Sequence, residues 1–132
     1  MLVGARAHLY SLIVNAWGDT AIVLPPEDRN TFEAALKTAA ATDSPVVRYY
    51  PPQLLRLAGV SEYLCTLDVC HPTPTRAAEE ADRFLRELGN SRYPTGVITP
   101  RAVPIRETSY HRVNVTFTTL HATSNDPPPP SD

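Results

Sequence analysis

The stretch EYLCTLDVCHPTPTRAAEEADRFLRELG, residues 62–89, constrains the fold more than any other part of the chain. Over residues 62–70 the side chains alternate. Tyr63, Cys65, Leu67 and Val69 share one face of a strand, and Glu62, Leu64, Thr66, Asp68 and Cys70 share the other. One apolar and one mostly polar face suit an antiparallel sheet covered on one side. His71-Pro-Thr-Pro74 stiffens a corner, and Thr75 is placed to cap the helix that follows. Ala77, Ala81, Phe84, Leu85 and Leu88 recur on one face of that helix, and Gly89-Asn90 ends it. Glu79 and Glu80 fall in its early turns, where the positive end of the dipole favours them. A half-apolar strand followed by a half-apolar helix must fold back on itself, which predicts an α+β unit.

The remaining elements supply partners for that unit. Leu9, Leu12, Ile13, Ala16 and Trp17 keep helical spacing over residues 4–17, with Arg6, Tyr10 and Asn15 turned away and Gly18 as the stop. His8 reads as a partly covered surface histidine. Thr20–Leu24 and Pro45–Tyr50 are strand material, each closed by a proline doublet. Between them Asn30-Thr-Phe-Glu33 resembles a capping box for a short helix at 31–41, whose alanines offer little to bury. Gln53–Ala58 is ambiguous between a strand and a turn of helix. A turn at 93–96, broken strands at 97–99 and 101–108, and a long strand at 110–121 complete the fold. In that last strand Val113, Val115, Phe117 and Thr119 face inward, and Arg112, Asn114, Thr116 and Thr118 face outward.

Together these segments predict one α+β domain over residues 1–121. It is a mainly antiparallel sheet of about four strands, packed on one face by two helices and wet on the other. Residues 25–44 form an excursion carrying the short helix. Residues 122–132 form a proline-rich C-terminal tail that cannot build a core.

Little in the chain points to chemistry. A net charge of -2 and scattered cations, with Lys37 the sole lysine, argue against an electrostatic nucleic-acid binder. Cys65 and Cys70 on one strand lie about 16 Å apart, too far for a disulfide. No histidine or cysteine spacing matches a zinc site, and five isolated glycines cannot form a phosphate loop. Cys70 with His111 or His121 could make a nucleophilic pair across strands. Nothing orients a third group, however, and a surface cysteine is the simpler reading. No export signal or membrane span is expected, and the Asn114-Val-Thr116 sequon has no secretory context. No catalytic residue, cofactor or metal is therefore expected. Candidate contact residues are Arg48, Tyr49 and Tyr50 at a sheet edge, Thr66, Asp68, Arg112 and Asn114 on the polar sheet face, and Pro127 and Pro128 in the tail.

Four segments carry a resemblance to a known family. They are the opening helix ending in Ala16-Trp17, the run Pro45-Val-Val-Arg-Tyr-Tyr-Pro-Pro52, the run Glu62–Thr75 leading into an Ala/Glu/Arg-rich helix, and Tyr110-His-Arg-Val-Asn-Val-Thr-Phe117. Over about residues 4–121 this order resembles the tail terminator proteins of long-tailed bacteriophages, although residues 25–44 exceed the loop expected there. The resemblance implies a structural virion protein, assembled in the host cytoplasm, that forms a homohexameric ring. The ring would cap the tail tube, meet the major tail tube protein on one side and a neck or connector protein on the other, and let DNA pass through its lumen without sequence recognition. It implies no catalytic residues. Other expectations are a different head–tail connector, a small interaction module whose proline tail fills a partner groove, or a small enzyme.

Overall fold

The computed structural model describes residues 2–24, 29–57, 59–90, 101–107 and 109–122. The chain begins with helix α1 (Leu2–Trp17), which a 3-10 turn, Gly18–Thr20, closes where Gly18 adopts a positive φ of 56°. Strand β1 (Ile22–Leu24), helix α2 (Arg29–Thr42) and strand β2 (Val46–Tyr49) follow. Then come β3 (Gln53–Arg56), β4 (Val60–His71), helix α3 (Pro74–Gly89), β5 (Arg101–Arg106) and β6 (His111–Ala122).

The α+β class and the three expected helices hold, but among the described residues the sheet has six strands rather than about four. The sheet order is β1-β2-β4-β6-β5, with β3 also paired to β4. It is mixed, because β1 runs parallel to β2 and every other pairing is antiparallel. A parallel pair needs a crossover, and α2 is that crossover. The segment expected to be an excursion is thus the helix of a β-α-β unit.

β4 and β6 form the spine, paired without interruption from Val60↔Ala122 to His71↔His111. β2 and β3 run one after the other along the opposite edge of β4 as a single interrupted strand. The register moves by one residue across Pro51-Pro52, from Tyr49↔Leu67 to Gln53↔Leu64, and again between Leu54 and Arg56. Extra residues of this kind bend a strand and increase its twist. β5 closes the other side, joined to β6 by a tight turn in which Glu107 N–H donates to the Tyr110 carbonyl. Pro104 sits within this edge strand opposite Val113; the Glu107–Tyr110 hydrogen bond makes 104/113 a pair without ladder bonds, so the missing donor faces away from β6 and costs none.

The predicted strand faces determine the main core. Cys65, Leu67, Val69, Val113, Val115 and Phe117 are buried beneath Leu9, Leu12, Ile13 and Trp17 of α1 and Ala77, Ala81, Phe84 and Leu88 of α3, and Tyr63 on the same strand face is buried too. Phe84 lies at its centre, stacked on Trp17 at 5.5 Å and tilted against Phe117 at 5.8 Å. His8 is also buried on α1, not partly exposed. The other sheet face is not simply wet. Phe32, Ala35 and Ala39 of α2 pack there on Val46 and Cys70 in a second small core.

Two helix starts differ from expectation. α3 begins at Pro74 with Thr73, not Thr75, as its N-cap residue, because proline is favoured at the first helical position. α2 begins at Arg29, so Asn30 lies inside the helix. The turn at 93–96, the strand at 97–99 and the proline-rich tail fall outside the described residues. No helix among the described residues is long and apolar enough to cross a membrane.

Candidate functional site

The polar sheet face was the expected contact surface, and the structure gathers most of its named residues around one carboxylate. Register places Arg48, Asp68 and Asn114 side by side on β2, β4 and β6, with Arg112 one step along the same face. Asp68 was expected to stay in water but is 0% exposed. A buried carboxylate must be paired and hydrogen-bonded, and this one accepts three side-chain hydrogen bonds and has a second guanidinium close by. Asn114 Nδ2 donates to Oδ1 at 2.9 Å and Arg112 Nη1 at 3.3 Å. The Tyr50 hydroxyl donates to Oδ2 at 2.9 Å, and Arg48 Nη2 stands 3.6 Å from it.

The cluster extends outward from there. Arg112 Nε donates to Glu107 Oε1 at 2.7 Å. The Arg48 guanidinium lies 4.1 Å above the ring of Phe32, whose edge meets Tyr110 at 5.2 Å. Two arginines face two carboxylates, so the charge balances locally. Burial, followed by the hydrogen bond to Asp68, raises the Tyr50 hydroxyl above the ordinary phenol range, so it remains a donor. Arg48, Tyr50, Asp68, Arg112 and Asn114 thus form a tie between β2, β4 and β6 that the Phe32 end of α2 covers.

The other candidates fall elsewhere. Tyr49 points to the opposite face and packs half-buried against the main core. Thr66 stays on the polar face, half-buried, and its carbonyl accepts the Tyr50 N–H. Pro127 and Pro128 lie outside the described residues.

Cys70 is fully buried under α2 and is not a surface cysteine. Burial pushes its thiol up to about 12 and that of Cys65 to about 11. Cys70 pairs in register with Arg112, while His111 pairs with His71 on the opposite face and His121 lies opposite Ser61 at the far end. The structure therefore brings neither histidine to the thiol. Among the described residues no group of three or more His, Cys, Asp or Glu could hold a metal.

A second cluster, unforeseen from sequence, joins α3 to the rest of the fold. Glu80 is 2% exposed, so helix-dipole compensation does not account for it. It accepts the Trp17 indole N–H at 2.8 Å and pairs with Arg76 at 3.1 Å and Arg83 at 3.5 Å. Arg76 also reaches Asp43, at 3.1 Å from Nε to Oδ2, in the turn between α2 and β2. His71 Nδ1 accepts the Thr73 N–H at 3.0 Å, so the ring proton sits on Nε2, which faces Asp43 Oδ1 at 2.9 Å. The Arg76 hydrogen bond holds the Asp43 carboxyl below its ordinary range, against a smaller desolvation effect. Asp43 is held at a φ of 56°, which aspartate tolerates better than most residues.

Two surfaces remain open. At the turn between β3 and β4, Leu54, Leu55, Leu57 and Val60 are all exposed, Leu57 by 65%. On the other side of the sheet, a cleft of about 240 Å³ lies between α3 and the β5–β6 hairpin. No protein-family model matches this chain, and no curated protein sequence is significantly similar to it.

Proposed function

We propose that this chain is a structural ring protein of a long-tailed phage virion, a tail terminator that caps the tail tube and joins it to the neck. The observation that carries this reading is the apolar end of the β3–β4 hairpin. Four aliphatic side chains stand in water there on a bent two-stranded extension. Covering what remains exposed of them would contribute about 4 kcal/mol, near a thousandfold in an association constant. Large aliphatic side chains gathered at one hairpin end and left in water suit a protein contact. The order of elements, with two half-buried long strands beneath two helices, supports the same reading.

In this proposal the work is geometric. One ring face binds the last tube subunits, the other receives the neck protein, and DNA passes through the lumen without being read. Identical head-to-tail contacts close into a ring when the rotation per subunit divides the circle. The expected result is a ring of about six chains by light scattering and negative-stain microscopy, alone or on purified tail tubes. Replacing Leu55 and Leu57 with Asp should abolish both the ring and its binding to tube ends while the chain stays folded. A chain that remains monomeric at high concentration and ignores tube ends overturns the proposal. Rings that bind the head-side connector but not the tube would assign the chain to another neck position.

A further inference from the structure

The cleft between α3 and the β5–β6 hairpin is the second open surface, and its chemistry is selective. Its walls are Pro74 and Ala77 from the start of α3, and Pro104 and Ile105 from the edge strand. Arg106 and His111 stand among its lining residues. Arg106 is exposed and, among the described residues, has no carboxylate partner, unlike Arg112, which Glu107 and Asp68 occupy. The N-terminal turn of α3 adds the positive end of a helix dipole. An apolar slot with a cationic rim fits a short, stiff apolar segment with acidic flanks. At about 240 Å³ it is smaller than a drug-sized pocket and holds one or two residues.

The chain carries such a segment. Asp126-Pro-Pro-Pro-Pro-Ser-Asp132 is four prolines between two aspartates, and a proline run is already extended before it binds. Distance decides which copy it can reach. β6 ends at Ala122 beside Val60, whereas the cleft lies at the His111–Val113 end of the same strand. Val113 is about 31 Å from Ala122 along the strand. Even fully extended, Pro130 reaches only about 27 Å beyond Ala122, and Pro127 about 17 Å. The tetraproline falls short of the cleft in its own chain.

We infer that the cleft receives the Asp126–Pro130 segment of a neighbouring copy, with Arg106 facing Asp126. The contact is heterologous, since one copy gives its tail and receives another's. It deepens the proposed ring, and rests on that reading only for the number of copies joined.

The test is a pair of engineered cysteines in the full chain, Ala78→Cys on the cleft wall and Ser131→Cys in the tail. Mild oxidation should give a ladder of disulfide-linked multimers on a non-reducing gel. Mixing the two single variants should give cross-linked dimers only. Arg106→Glu should lower the yield about two- to fivefold, the range of an exposed ion pair. Adding Asp126→Arg should restore it. Failure to cross-link overturns the contact, and a disulfide confined to single chains overturns exchange between copies. Capped tubes without cross-links would keep the terminator reading and remove this contact. A cross-linked ladder without tube capping would do the reverse.

Discussion

At the residue scale, Asp68 shows how a charge can be both buried and informative. Its alternation with Leu67 and Val69 placed it correctly on the polar side, but alternation is blind to whatever lies over that side. Three hydrogen bonds and a nearby second guanidinium make its burial tolerable, so removing it should cost more than its location on a polar strand face suggests. Asp68→Ala leaves Arg48 and Arg112 facing one another without their shared partner. Both arginines keep some access to water, which moderates the loss to about 2–4 kcal/mol by urea denaturation. Glu107→Gln, at the margin of the cluster, should cost about 1 kcal/mol or less.

The buried thiols give a second measurable consequence at this scale. The unfolded thiols ionise from about the ordinary value of 9.0, while the folded ones stay protonated to about 11 and 12. Folded values raised in this way favour the native state below pH 9 and lose that contribution as pH rises beyond it. Denaturant midpoints should therefore fall above pH 9, and less so in Cys70→Ala measured against its own neutral-pH value. In the native protein at neutral pH, a thiol reagent should label neither cysteine until the chain unfolds. Asp43 works in the opposite direction. Its folded value is depressed, so its contribution is present above the ordinary aspartate range near 3.8 and is lost as pH falls through the lowered value. Asp43→Asn can keep the left-handed backbone while removing that acid limb from the stability profile.

At the element scale, periodicity found the strands and helices that bury one strong face, and missed pairings made between distant segments. α1, β4, α3 and β6 were legible because each carries several large apolar residues at one spacing. α2 was underrated because Phe32 and Leu36 are its only large apolar residues and alanines fill the rest of the face. Its Phe32, Ala35 and Ala39 nonetheless keep the i, i+3, i+7 spacing of a buried face. A strand, a helix and a second strand in succession over residues 20–50 also announce a parallel crossover. That signal was present, and reading the segment as an excursion set it aside. Glu80 was opaque for another reason. Its partner Trp17 is 63 residues away, and no local rule connects the two. The expected result for Glu80→Ala is a loss of about 2–3 kcal/mol, from a stranded indole donor and the loss of the carboxylate that Arg76 and Arg83 share. Glu80→Gln should lose less, because the amide oxygen can still accept from Trp17. Phe84→Ala, which removes the ring between Trp17 and Phe117, should cost about 3–5 kcal/mol in the same assay.

At the scale of the whole molecule, the described sheet ends on β1 and β3 along one side and on β5 along the other. The hairpin of β3 and β4 presents leucines in water. β5 presents Arg101 and Arg106 at its ends and Ala102, Val103 and Ile105 between them, interrupted by Pro104. An assembly that must stop at a fixed size has to guard against its own strands, because an unpaired edge can recruit an identical edge without limit. Pro104 withholds one amide donor from the middle of that margin, so a second sheet laid alongside would find a missing rung. Pro104→Val would restore the rung without altering the pattern of the strand. The expected outcome is slow, concentration-dependent fibre growth, followed by thioflavin fluorescence, where the parent chain stays clear. In that sense a single imino acid acts as a termination signal, a gap in the backbone ladder that an identical edge cannot pair across.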